Sequence, residues 1–137
     1  MNGAAAKNLS RERAQFAYQD VVQWEENWRQ RALTRARGLP MQTRTQGLTI
    51  TLATLMREDQ VHASRLADLI GQWLLETAPV RTLGEVTTSQ SWSDARRLLD
   101  ACMKAERAAY QAAQTEALAL LEHVKLYADA LYGAKDR

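Results

Sequence analysis

Apolar residues recur along most of this chain at intervals of three and four, the spacing of one face of an α-helix. The first stripe runs through Ala14, Ala17, Val21, Trp24, Trp28 and Ala32. Ser10 stands before it as an N-cap, with Leu9 placed to staple onto Ala14. Gly38, Leu39 and Pro40 read as its stop, and Pro40 then opens a second helix, where a missing N–H is harmless. That helix turns Met41, Leu48, Leu52, Leu55 and Met56 inward. A third, over roughly residues 60–77, buries Val61, Leu66, Leu69, Ile70, Trp73 and Leu74 before Pro79 and Gly84 close it.

Residues 86–90 are polar and read as a loop, and Ser91 with Asp94 three residues on forms a capping box. Residues 93–132 hold neither glycine nor proline. Their apolar positions are Leu98, Cys102, Ala105, Ala109, Ala113, Ala117, Leu120, Val124, Ala128 and Leu131. One unbroken helix over that stretch would be about 60 Å long at the α-helical rise, too long for a compact domain of this size. A break is therefore expected near Lys104 and Arg107, with Gly133 as the C′ residue of the last helix. No segment alternates with period two. The pattern predicts an all-α fold, a compact antiparallel bundle of five or six helices.

Size and composition agree. The 137 residues make one domain, with tails at 1–8 and 134–137 and the bundle at 9–133. Hydrophobic residues at 46% supply a core, while six glycines and two prolines leave little to interrupt helices. Cys102 is the single cysteine, so no internal disulfide forms. The N-terminal residues lack an apolar signal region, and no stretch reaches the ~18–20 apolar residues of a membrane span. A cytoplasmic location is expected.

Tests for catalytic chemistry come out negative. Two histidines, His62 and His123, cannot build the paired Glu-x-x-His set of a di-iron bundle, and both read as surface or cap residues. Cys102 lies on an apolar stripe, where a buried, inert thiol is the expected state. No phosphate-binding glycine loop, nucleophile elbow or zinc spacing is present. The sequence predicts no enzyme, no metal and no cofactor. Trp24, Trp28 and Trp73 fall on or beside apolar stripes as core residues, and Trp92 precedes a helix as either a staple or an exposed contact.

Charge carries the one functional signal. The net charge is only +2, yet residues 27–57 contain no carboxylate while holding Arg29, Arg31, Arg35, Arg37, Arg44 and Arg57. Against an ordinary solvated face stands that absence of acid. The second helix also has a small, carboxylate-free outer face of Thr43, Gln46, Gly47, Ile50, Thr54 and Arg57, which is expected to lie against a partner. Arg31, Arg35, Arg37 and Arg44 should cluster at the corner between the first two helices. Guanidinium forks suit phosphate oxygens, and with no aromatic residues among them they point to a phosphate backbone rather than bases.

The same regions carry a family resemblance. Arg13, Ala14, Ala17 and Tyr18 match an Arg-Ala-x-x-Ala-Tyr opening helix; Leu39–Pro40, Gly47–Leu48, Leu52–Ala53 and Leu55 match a Leu-Pro turn and leucine-rich helix. Tyr110, Glu116–Ala117–Leu118, Lys125, Ala128 and Leu131 match the C-terminal pattern. Departures are Gln46 in place of asparagine, Thr43 and Thr54 at apolar or aromatic positions, and His123 at a tryptophan-like one. The chain thus resembles the small subunit of the type III-B (Cmr) CRISPR effector complex, or a close relative among type III small subunits. The resemblance implies a non-catalytic subunit stacked in several copies along the backbone filament. Its implied partners are backbone subunits, further copies of itself, guide RNA and target RNA. The competing reading is a free-standing helical adaptor or regulator that binds protein partners only.

Overall fold

The computed structural model describes residues 2–77, 83 and 91–133, with side chains from Asn8 onward. The expected stop at Pro79 and Gly84, the loop at 86–90 and the tail at 134–137 lie outside the described residues. Among the described residues, six α-helices pack into one bundle: α1 (Asn2–Val21), α2 (Arg29–Gln46), α3 (Leu48–Glu58), α4 (Val61–Gln72), α5 (Asp94–Lys104) and α6 (Arg107–Tyr132). A π-helical turn, Trp73–Thr77, extends α4. The helical periods thus give the all-α bundle expected from the sequence, and the break after Lys104 falls where chain length required it. There Ala105 and Glu106 are both extended.

Several helix ends differ from the sequence reading. Ser10 is not an N-cap: α1 already begins at Asn2. The first stripe is broken at residues 22–28, which carry neither glycine nor proline. Side chains make that corner. Trp24 and Trp28 are buried, the Trp24 indole donates to Asp20 Oδ2 at 3.0 Å, and Arg29 Nη2 donates to the Trp24 carbonyl at 2.8 Å. The arginine thus takes the acceptor that the Trp28 amide would use in a continuing helix; that amide bonds to Glu25 instead, at 3.1 Å.

Gly38, Leu39 and Pro40, expected as a stop, lie inside α2. A proline there forfeits a backbone hydrogen bond and costs roughly 3 kcal/mol. Burial of Leu33, Ala36, Leu39, Pro40 and Thr43 along the same face offsets it. Met41, expected inward, is 64% exposed as a result. The true end is Gly47, at φ 94° and ψ 161°, a conformation all but restricted to glycine. A Cβ there would lie 3.2 Å from Tyr110 Oη. At the start of α4, Val61 is 65% exposed and His62 is buried, reversing both expectations. Ser93 rather than Ser91 caps α5, accepting from the Arg96 amide at 3.2 Å. Gly133 ends α6 in a right-handed conformation, φ −83°, so the left-handed C′ geometry is absent.

Among the described residues, α6 packs with one helix antiparallel and one parallel to it. Along α6, the partners of α2 run Gln30 to Tyr132, Arg37 to Asp129 and Arg44 to Glu122, which is antiparallel. Those of α1 run Arg13 to Glu116, Tyr18 to Tyr127 and Val21 to Tyr132, which is parallel. This follows because α1 and α2 reverse at the corner while both lean on α6. Between α4 and α5, a Cβ on Gly71 would meet the Asp94 carbonyl oxygen at 2.5 Å, so only glycine permits this approach.

Candidate nucleic-acid interface

The residues that carry the family resemblance come together in space. Arg13 of α1 grips Glu116 of α6 through two bonds, Nε to Oε2 at 2.6 Å and Nη2 to Oε1 at 2.9 Å. The indole of buried Trp73 donates to the same carboxylate at 2.8 Å, and Phe16 packs on the Trp73 ring with centroids 5.0 Å apart. Glu116 therefore ties α1, α6 and the end of α4 together. Within the two turns before Glu116 on α6, Gln114 Oε1 accepts from the Leu48 amide at 2.9 Å and Tyr110 Oη from the Thr49 amide at 3.3 Å. These α6 side chains satisfy the open amides at the start of α3. Arg13, Glu116 and Tyr110 among the motif residues thus hold the fold.

Arg31, Arg35, Arg37 and Arg44 do not surround a corner between two helices: all four lie on α2, because α2 runs through Pro40. A helical repeat then places them on two flanks. Arg37 and Arg44 face α6, pairing with Asp129 at 2.6 Å and Glu122 at 3.3 Å. Arg31 and Arg35 face α3 and α4; Arg35 Nη2 pairs with Glu58 at 2.7 Å and its Nη1 reaches Gln42 at 3.4 Å. The carboxylate-free run thus meets acid supplied by other helices, from as far as 92 residues away. Arg31 is exposed and has no carboxylate partner among the described residues.

The small outer face expected of the second helix is divided. Thr43 is buried and bonds to Thr51 at 3.4 Å, while Ile50 is 52% exposed beside Ala53, Thr54 and Arg57 around a shallow groove of about 160 Å³. Trp24, Trp28 and Trp73 are core residues. Trp92 is half-buried with the Arg96 guanidinium 4.1 Å above its ring.

Burial sets the state of the titratable groups. The Cys102 thiol is pushed up to about 12 by desolvation and stays protonated at neutral pH. Desolvation lowers His62, helped by the positive charges of Arg31 and Arg35 and opposed by Glu58. It also lowers His123, with Arg13 adding to the effect and Glu116 opposing it. Neither histidine is the surface residue the sequence pointed to; His123 is half-buried, its Nδ1 lying 3.4 Å from Tyr127 Oη. Among the described residues no group of three His, Cys, Asp or Glu side chains is placed to hold a metal, and no helix is long and apolar enough to cross a membrane. Residues 9–131 match the family model described as CRISPR-associated protein (Cas_Cmr5). No curated protein and no solved structure matches the chain.

Proposed function

The chain belongs to the CRISPR-associated Cmr5 family, the small subunit of the type III-B Cmr complex, and from that premise we propose that it is a non-catalytic subunit that stacks along the backbone filament and supports guide and target RNA binding through arginines of α2. Membership implies association with the other subunits of that complex. The non-catalytic part of the reading rests on that role and on the protonated, buried state of Cys102.

The observation that supports the RNA part is the exposure of the ion pairs on the α6-facing flank of α2. The side chains of Arg37 and Arg44 are 48% and 52% exposed. Ion pairs this open contribute about 0–1 kcal/mol, so Asp129 and Glu122 yield readily to a stronger acceptor. Phosphate is such an acceptor, because binding it also releases condensed counterions. No aromatic residue lies in α2, which favours backbone contact over base stacking.

Arg37→Ala with Arg44→Ala, built into the reconstituted complex, should weaken target RNA binding similarly for every matched target. The dependence of log affinity on log salt should flatten by roughly one for each arginine–phosphate pair removed. A variant that binds RNA normally at every salt concentration but fails to join the complex would assign these arginines to protein contacts.

A further inference from the structure

We propose that the cleft between α2 and the start of α4 is a binding site for one RNA nucleotide, its phosphate held by Arg31, Arg35 and His62. This rests on the RNA-facing reading of α2 and deepens it, because it gives the flank opposite Arg37 and Arg44 a separate, built site.

The cleft holds about 380 Å³ and is lined by Gln30, Arg31, Thr34, Arg35 and His62. That volume falls within the roughly 300–1,000 Å³ of small-molecule sites, which suits a phosphate with its sugar better than a lone carboxylate. Its walls carry hydrogen-bonding capacity that the protein leaves unused. His62 is only 6% exposed, yet its Nδ1 has no partner among the described residues. Arg35 uses both terminal nitrogens on Glu58 and Gln42, while its buried Nε has none. Buried polar atoms in native folds are nearly always satisfied, and two orphans at one cleft point to an absent ligand.

The sign of that ligand follows from the surroundings. Arg31 adds a guanidinium free of carboxylate partners among the described residues. α4 starts at Val61 with no side chain capping it, which leaves amide donors and the positive end of the helix dipole beside His62. Of the two acids before α4, Glu58 already accepts from Arg35 Nη2 and Asp59 is exposed at the end of α3. Donors therefore dominate, and an anion fits. A second cleft among the described residues, of about 270 Å³ and lined by Phe16, Asp20 and Arg65, lacks this character, because its two charges neutralise each other at 2.9 Å.

The isolated full-length chain, labelled with ¹⁵N, would be titrated with uridine 5′-monophosphate, uridine and a glutamate side-chain analogue while its amide resonances are followed. The nucleotide should shift the His62 and Ala63 amides saturably, and uridine should not. Arg31→Ala should weaken the nucleotide at least tenfold. Thr34→Trp, which fills the cleft without altering charge, should abolish the shift at an unchanged melting temperature. Absence of a saturable nucleotide shift, an equally strong response to the glutamate analogue, or nucleotide binding unaffected by Thr34→Trp would each overturn the proposal. In the reconstituted complex the two readings separate. Loss of RNA binding on replacing Arg37 and Arg44, with Thr34→Trp normal, removes the cleft alone. A nucleotide-responsive cleft beside fully RNA-competent Arg37 and Arg44 variants removes the flank reading alone.

Discussion

His62 and His123 both sit where burial lowers their affinity for a proton. The unfolded chain therefore takes up protons near the ordinary histidine value of 6.5 while the folded chain does so only at lower pH. Stability contributed by the neutral rings is complete above that value and is lost as pH falls below it. The melting temperature should drop between pH 7.5 and pH 5.5, and replacing both histidines with glutamine should flatten that slope; an unchanged slope would mean that neither ring is buried as described. Much at this scale was hidden from the sequence. His62 read as a surface or cap residue, whereas here α4 enters the bundle at once and Val61 takes the solvent side. The carboxylate-free run at 27–57 was legible. Its neutralisation by Glu58, Glu122 and Asp129 was not, because those ion pairs cross between helices far apart in sequence.

At the scale of helices, periodicity marked the all-α fold but neither it nor glycine and proline alone placed the helix ends. The stripe of Ala32, Leu33, Ala36, Leu39, Pro40 and Thr43 keeps its helical spacing through the proline, and burial outweighs the lost hydrogen bond. The corner at 22–28 has no breaker residue, being made by the Trp24 indole and the Arg29 guanidinium. Glycine and proline therefore point to a junction at the wrong residues, and with it to an arginine cluster bent around that junction. Helices here are tied by a few polar anchors, and Glu116 is the strongest of them. Arg13 and Glu116 have side chains only 14% and 12% exposed. Removing one partner of a buried pair leaves the other charge without compensation, at a cost of ~3–5 kcal/mol. Glu116→Gln should therefore lower the unfolding free energy by about that much in a denaturant titration. A loss under about 1 kcal/mol would show that water screens the pair as it does at a surface.

For the whole molecule, some of the residues that mark the family are internal ties, Arg13 with Glu116 binding α1 to α6 and Tyr110 binding α6 to α3, while Tyr18 and Leu131 are exposed. Under the proposed function, surface charge makes the contacts with RNA. α2 is the helix best placed for this, with Arg37 and Arg44 on one flank and Arg31 and Arg35 on the other. Phosphate attraction of that kind is sequence-independent, in keeping with a complex in which base pairing supplies specificity. The most direct measurement is photo-crosslinking of target RNA to the reconstituted complex, with the crosslinked peptides of this subunit identified by mass spectrometry. The account predicts crosslinks concentrated in residues 29–46, with a further set at the start of α4. Crosslinks confined to α5 or to the exposed side of α1, with α2 instead protected by a neighbouring subunit, would contradict it.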